Sequence, residues 1–518
     1  MKKNLLSVLL SCVALGGITS NLAAQTVEKV ADLNFGVINK DTGEVGGGYY
    51  PLDRFTQVGT NLWFTTQRGG ANDLGTISRF DLTLHQVVQV ASLDNNSGSK
   101  PESSLLVIGN AAYFTTTLAG VSNKGTIAEI DLTSGAITPL FAFPNNGLPT
   151  GASSRAGLTQ IGDDLWTTTS LGGTSNRGVV LKYNLTSGNA TFITNLDGPV
   201  LGGQPFDGFT PAGNAWYFTT FSGGSTFKTT NYPVQILPDG STVTLTNSLP
   251  LGAGTLEQLT FDNLGNPFVA NVLNLPGGFG EFPGTEPTLV GTNSLYFTST
   301  GLNAQPGAIA RYDLSTRFYT NLFSFSTNPI PQKLYGTRPG YSGLVEWQGE
   351  LYFINRNGGT NSTAPNSGGG TVAKYNIASN TVTKLADLGN TNLVNDLGSP
   401  SGFFGTGTIV QETNRFYIYY PLTSGGANNF GSIIRVLLPP PPIQASIAVT
   451  NSATNILLSW TGGYPPFDVV TNGDFSVAST NWSAAITGIT SADNTTNWSV
   501  TLPLTDANTF YRIRGQAQ

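Results

Sequence analysis

The chain has 518 residues, of which only 10% are charged, and it carries 64 Gly and 29 Pro, a balance that excludes charged coiled coils and helix bundles. Its net charge of −6 at pH 7 argues against general nucleic-acid or anionic-membrane binding, since both need basic patches. With 39% hydrophobic residues, including 7 Trp, 18 Tyr and 29 Phe, the chain has material for a core and does not read as disordered.

Lys2 and Lys3 precede an apolar run from Leu5 through Ile18, and Leu22-Ala23-Ala24 supplies small residues before Gln25. This pattern predicts a secretory signal peptide over residues 1–24. A lipoprotein signal around Leu9-Leu10-Ser11-Cys12 fits less well, because the apolar run continues past Cys12. Cleavage after Ala24 removes the single Cys and takes the net charge to −8, leaving no disulfide, thiolate nucleophile or Cys-ligated metal. The expected location is extracellular or periplasmic, with cell-surface association open. No second apolar run of about 18 residues occurs, so no membrane span is expected.

One short pattern then recurs: LWFTT at 62–66, AYFTT at 112–116, LWTTT at 165–169, WYFTT at 216–220, LYFTS at 295–299, LYFIN at 351–355 and FYIYY at 416–420. The central aromatics, Trp63, Tyr113, Trp166, Tyr217, Tyr296, Tyr352 and Tyr417, stand about 50 residues apart, except for longer steps after Tyr217 and Tyr352. In the third unit four β-type segments surround the pattern, 157–161, 165–169, 179–185 and 190–196, divided by Gly, Asn, Asp and Ser. Four-stranded meanders repeating at this period predict an all-β chain built on a β-propeller, with an open β-solenoid as the alternative. The count gives seven blades. Residues 251–286 are surplus to it and read as an inserted hairpin or the remnant of an eighth.

The seventh unit meets Pro439–Pro442 before a fourth strand, and proline cannot donate to a ladder. The N-terminal VEKVADL at 27–33 matches the fourth-strand VTKLADL at 382–388, so it is expected to close the ring and remove an unpaired edge. The domain reading is therefore a propeller over 25–438, a proline linker over 439–442 and a small β-sandwich over 443–518.

The units resemble the bacterial GloVer tandem repeat, an aromatic-Phe-Thr-Thr strand followed by a Gly-Gly turn and a Gly-Thr-Ile/Val strand. The matching residues are Phe64-Thr65-Thr66, Gly69-Gly70 and Gly75-Thr76-Ile77; Phe114-Thr115-Thr116 and Gly125-Thr126-Ile127; Thr168-Thr169, Gly172-Gly173 and Gly178-Val179; and Gly358-Gly359 with Gly370-Thr371-Val372. The likeness covers roughly 50–437 and implies a surface or secreted repeat protein, with no catalytic motif to transfer. Leu458-Ser459-Trp460 and Phe510-Tyr511-Arg512 resemble fibronectin-type-III-like modules of secreted bacterial proteins. Asn472-Gly473-Asp474-Phe475 with Trp482 is similar to the opening of some carbohydrate-binding modules, although it falls mid-domain.

The single His85 falls in a turn, which excludes Ser-His-Asp catalysis and multi-His metal sites. No phosphate-cradling loop is present. Asp94-Asn95-Asn96 offers oxygen ligands for a structural calcium but lacks the rest of a loop motif and reads as an Asx turn; no other cofactor is expected. No catalytic residue is assigned. Glu102, Glu257, Glu281, Glu286, Glu346 and Glu412 are available for carboxylate chemistry, yet each reads more simply as a solvated or strand-end residue. Two readings result: a non-catalytic recognition or scaffold protein whose partner is an extracellular polysaccharide or a surface protein, and a carboxylate-dependent polysaccharide-degrading enzyme. Loops on the face collecting the least repetitive sequence offer Tyr50, Arg68, Arg155, Arg338, Tyr341 and Arg356 as candidate ligand-binding residues, joining aromatic stacking to charge-assisted bonds.

Overall fold

The computed structural model describes residues 26–33, 38–39, 48–144, 151–224, 235–236, 242–243, 253–276, 282–300, 306–326, 329–339, 342–360, 368–389, 397–399, 406–413, 415–426, 429–449, 455–472, 483–489, 497–503 and 510–515. The residues expected to form the signal peptide lie outside them. The chain divides into two compact units, one of residues 27–408 with 419–435, the other taking in Thr26, Ile409–Ile418 and the chain from Val436 onward.

Seven antiparallel sheets follow one another along the sequence as the blades of a propeller. The third is representative: Thr159–Ile161, Asp164–Thr168, Val179–Asn184 and Asn189–Asn195 pair in chain order, within a residue or two of the expected segments. In the seventh sheet the fourth strand is Val27–Asp32, laid beside Ser432–Leu437. The Leu33 amide donates to the Gly431 carbonyl at 2.9 Å, and Arg435 pairs with Glu28 at 2.6 Å. The first blade carries a short additional edge, Ile38–Asn39, parallel to its fourth strand.

Residues 251–286 resolve differently from expectation. Thr255–Phe261 and Pro267–Asn274 are the third and fourth strands of the fourth blade, so the surplus chain is the stretch between Thr220 and Thr255. The aromatic signature marks only the second strand of each blade, which is why the insertion point was not visible from it. Ile137–Ala142, by comparison, follows the third strand of blade two without any such gap.

The recurring pattern has a physical cause at each position. Its central aromatics are all buried, none more than 8% exposed, and the first five pack against the next blade: Trp63 with Leu105 and Phe114, Tyr113 with Leu158 and Leu165, Trp166 with Phe209 and Phe218, Tyr217 with Leu295 and Phe297, Tyr296 with Leu351 and Phe353. The first Thr ties its blade to the next, Thr65 Oγ1 donating to the Ser103 carbonyl, Thr219 to Thr285 and Thr298 to Ser342, at 2.8–2.9 Å. The second Thr bonds the first residue of the third strand, as in Thr66–Thr76 at 2.7 Å and Thr116–Thr126 at 2.9 Å. Gly98 lies over that pair; a Cβ there would stand 2.1 Å from Thr116 Oγ1, so only glycine fits. These threonines are interior hydrogen-bonding ties rather than part of a Ser/Thr-rich exterior.

The C-terminal unit contains two three-stranded sheets. One orders Gln444–Val449, Asn455–Thr461 and Asn497–Pro503; the other orders Ser483–Ile489, Phe467–Asn472 and Phe510–Arg514. Trp460, Phe467, Trp498, Leu458 and Val469 form their shared core, making a small β-sandwich. The Tyr464 hydroxyl accepts from the Phe416 amide and donates to the Leu438 carbonyl, both at 3.0 Å within this unit. Of the stretch compared with carbohydrate-binding modules, Asn472 ends a strand; Gly473, Asp474, Phe475 and Trp482 lie outside the described residues. The one described helix, Pro329–Tyr335, is a short excursion between blades five and six.

Candidate functional site

Each blade is approached through a segment with the same backbone path. In six blades one residue of it is left-handed without being glycine: Tyr50, Lys100, Ser153, Gln204, Phe282 and Arg338, with φ between 51° and 61°. Five of the six precede a proline, which disfavours helical-type backbone at the preceding residue and adds to the strain. The conformation is imposed by two backbone bonds. The Lys100 amide donates to Leu74 of the preceding blade at 2.9 Å, and its carbonyl accepts from Thr117 at 3.2 Å. Ser153, Gln204, Phe282 and Arg338 repeat both bonds, and Tyr50 accepts the second from Gln67. The backbone conformation repeats while the side chain it carries differs on every one of these blades.

Between blades one and four this ring borders a cleft of about 320 Å³ lined by Gln67, Lys100, Glu102, Arg155, Gln204 and Phe206, among others. Arg155 is positioned by Glu102 at 3.1 Å and lies 4.9 Å from the Phe206 ring centroid. Gln67 donates to the other oxygen of Glu102 at 2.8 Å. Lys100, half-buried, has no ion-pair partner among the described residues. From Phe206 in the cleft lining an aromatic row runs through Phe221 to Phe282, with centroids 4.8 and 5.2 Å apart, and all three are half-buried.

Three residues beyond Tyr50 and Gln204 stand two buried acids. Asp53 accepts from the Ser104 amide, and Asp207 accepts from the amides of Gly208 at 2.8 Å and Glu286 at 3.3 Å. Arg54 of the first blade forms an ion pair with Glu286 of the fifth. Burial, reinforced by the Asp53 carboxylate and opposed by Arg54, pushes the Asp207 carboxyl up to about 8, so it holds its proton at neutral pH.

The expected residues are distributed unevenly. Arg155 lines the cleft; Tyr50 and Arg338 occupy ring positions, and the Arg356 amide bonds the Arg338 carbonyl at 3.3 Å. Arg68 is paired with Asp73 at 3.1 Å on the surface and does not line the cleft. Tyr341 lies outside the described residues, as does Glu281. Two of the acidic residues read as solvated or strand-end are buried instead, Glu257 and Glu102, and the ion-paired Glu286 is half-buried. The Asp94 loop is the expected Asx turn, its Oδ1 accepting from the Asn96 and Ser97 amides. His85 is exposed in a turn at φ 51°, where sister blades use Gly135 and Gly188. Sequence reasoning missed Lys100, Gln204, Phe206, Phe221 and Phe282. A usable sign was present in Gly-x-x-Pro at 48–51, 98–101, 202–205 and 336–339.

The family model of the Gloeobacter/Verrucomicrobia repeat matches residues 30–232, which hold three blades and the first two strands of the fourth. No curated protein sequence matches the chain. Among solved structures, an oligogalacturonate lyase in complex with manganese is 12% identical over 80% of this chain and 98% of its own, at a TM-score of 0.40. TolB from Acinetobacter baumannii is 14% identical over 70% of this chain and 60% of its own, at a TM-score of 0.26.

Proposed function

We propose that this is an exported, non-catalytic recognition protein that binds a polysaccharide at the mouth of its propeller. The observation carrying the reading is the ring of six strained, non-glycine positions bearing side chains that the repeat does not dictate. The ligand class follows from the adjoining cleft. An aromatic row offers faces for sugar rings, and Gln67, Gln204, Lys100 and Arg155 supply directional donors. Lys100 and Arg155 against Glu102 leave one positive charge in the lining, which favours a chain bearing carboxylate or sulfate groups. The C-terminal sandwich then serves as a fibronectin-III-like spacer, and export follows from the N-terminal signal.

The test is retention on immobilised acidic and neutral polysaccharides. Lys100→Ala with Arg155→Ala is expected to weaken retention on acidic chains about tenfold or more, and Phe206→Ala on both kinds. Equal retention by the variants and the parent on every polysaccharide removes the cleft as the binding site.

A second reading, carboxylate-dependent hydrolysis, is favoured by the protonated Asp207 with Asp53 nearby. Against it, neither residue lines the cleft, and Glu286 is engaged by Arg54. Release of reducing ends that disappears in Asp207→Asn would establish this reading in place of the first.

A further inference from the structure

We propose that the fourth blade carries a binding site for a hard divalent cation, calcium in particular, formed by Glu257, Asn271, Asn274 and the Val200 carbonyl. The repeat itself exposes the anomaly. Six blades break register at the same place in the third strand, and the residue after the break is Ser78, Ala128, Leu181, Ala310 or Ala373 in five of them. In the fourth it is Glu257. The fold is therefore built with a small or apolar side chain here, and a fully buried carboxylate answers to something other than folding.

Glu257 Oε1 accepts from Thr255 Oγ1 at 2.5 Å and Asn271 Nδ2 at 3.2 Å, whereas Oε2, equally buried, has no partner. The same Asn271 nitrogen lies 2.8 Å from the Val200 carbonyl and 3.1 Å from Asn274 Oδ1. Oxygens of Glu257, Val200 and Asn274 thus gather around the one Asn271 nitrogen. The Asp197 carboxylate lies close enough to act on Glu257 through space. A calcium ion at the point of convergence would draw these oxygens to about 2.3–2.6 Å, engage Oε2, and gain the Asn271 amide oxygen once that side chain turns. The all-oxygen set, without imidazole or thiolate, selects calcium or magnesium over zinc or copper. None of these residues lines the cleft beside Arg155, so the site stands independently of the polysaccharide reading.

The experiment is calorimetric titration of the full exported chain, stripped with a chelator, with calcium chloride alone, alongside melting temperatures. Saturable binding is expected, with a melting temperature that climbs with the logarithm of calcium concentration. Glu257→Ala installs the side chain that three sister blades carry and should fold with unchanged circular dichroism while binding at least tenfold more weakly. Glu257→Gln, which keeps the shape and removes the charge, should lose binding equally. Absence of calcium heat and of any melting shift in the parent protein at millimolar calcium overturns the proposal, as does equal calcium affinity in parent and Glu257→Gln. A magnesium response equal to that of calcium would overturn the assignment to calcium.

Discussion

Thr408 of the seventh blade donates through Oγ1 to the Phe55 carbonyl of the first at 2.8 Å, across 353 residues of sequence. The bond is the one that Thr56 makes to Leu105 and Thr288 to Leu344, so the last blade joins the first as any blade joins its neighbour. Closure is thus made twice, by the inner strands and by the N-terminal strand beside Ser432–Leu437. Deleting residues 25–34 leaves the inner bond but bares a strand edge, and aggregation with a lowered melting temperature is the expected outcome. Thr408→Val should cost only about 1 kcal/mol, read by chemical denaturation. A truncated chain that melts and sediments like the parent would mean that the N-terminal strand does not seal the ring.

Trp166 is 1% exposed and joins Val180 of its own blade to Phe209 and Phe218 of the next. Trp166→Ala should cost about 3–5 kcal/mol, the usual range for removing a large buried aromatic. Its indole nitrogen has no hydrogen-bond partner, so Trp166→Phe, which removes that group and keeps most of the ring, should cost markedly less. A loss under about 1 kcal/mol for the alanine variant would place the side chain in solvent.

The architecture was legible because the blade is a local unit. Each Phe-Thr-Thr strand carries an interblade aromatic and two hydroxyl ties, and these needs recur wherever a blade meets its neighbour, leaving a repeated signature. The matching of VEKVADL to VTKLADL extended the same logic to closure. The site was less legible for the opposite reason. Lys100, Gln204 and Phe282 share a backbone conformation and not a side-chain type, so nothing repeats except the flanking Gly and Pro. The charged face was read from its Arg content, yet Arg68 turns to Asp73 and Arg155 to Glu102, pairings that depend on contacts between segments. Glu257 and Glu286 were indistinguishable from surface acids, because burial at one blade position shows only after the insertion between Thr220 and Thr255 is placed.

The buried Asp207 gives a pH signature. Asp207 has a folded-state value of about 8 against 3.8 ordinarily, so between those limits the folded chain binds more protons than the unfolded chain. Stability from this group is complete below about 4 and declines as pH rises toward and through 8. The turn carboxylates Asp131, Asp262 and Asp313 are held below their ordinary value by hydrogen bonds, so they act in the opposite sense and only at lower pH. The melting temperature should therefore peak in mildly acid solution and fall toward pH 8; burial raises Glu257 to about 8 as well, so Asp207→Asn should remove only its own share of the fall without moving the acid limb. A parent curve that rises from pH 5 to 8 would show Asp207 ionised in the folded state.

The ring of left-handed residues sets recognition against stability. Lys100 carries a side chain at φ 51° before Pro101, a conformation that costs an L-residue roughly 1–2 kcal/mol and glycine almost nothing. Lys100→Gly removes the strain and the ammonium together, while the backbone bonds to Leu74 and Thr117 remain available. Part of the gain is offset by the larger entropy of glycine in the unfolded chain, leaving an expected stabilisation of about 0.5–1 kcal/mol. Retention on acidic polysaccharide should fall at the same time, because the unpaired cation of the cleft is gone. Lys100→Ala separates the two effects: it keeps the strain, so it should lose retention without gaining stability. If glycine at this position destabilises the protein, the side chain is a packing element; if it stabilises the protein and retention is unchanged, the strain at this mouth serves something other than the ligand proposed.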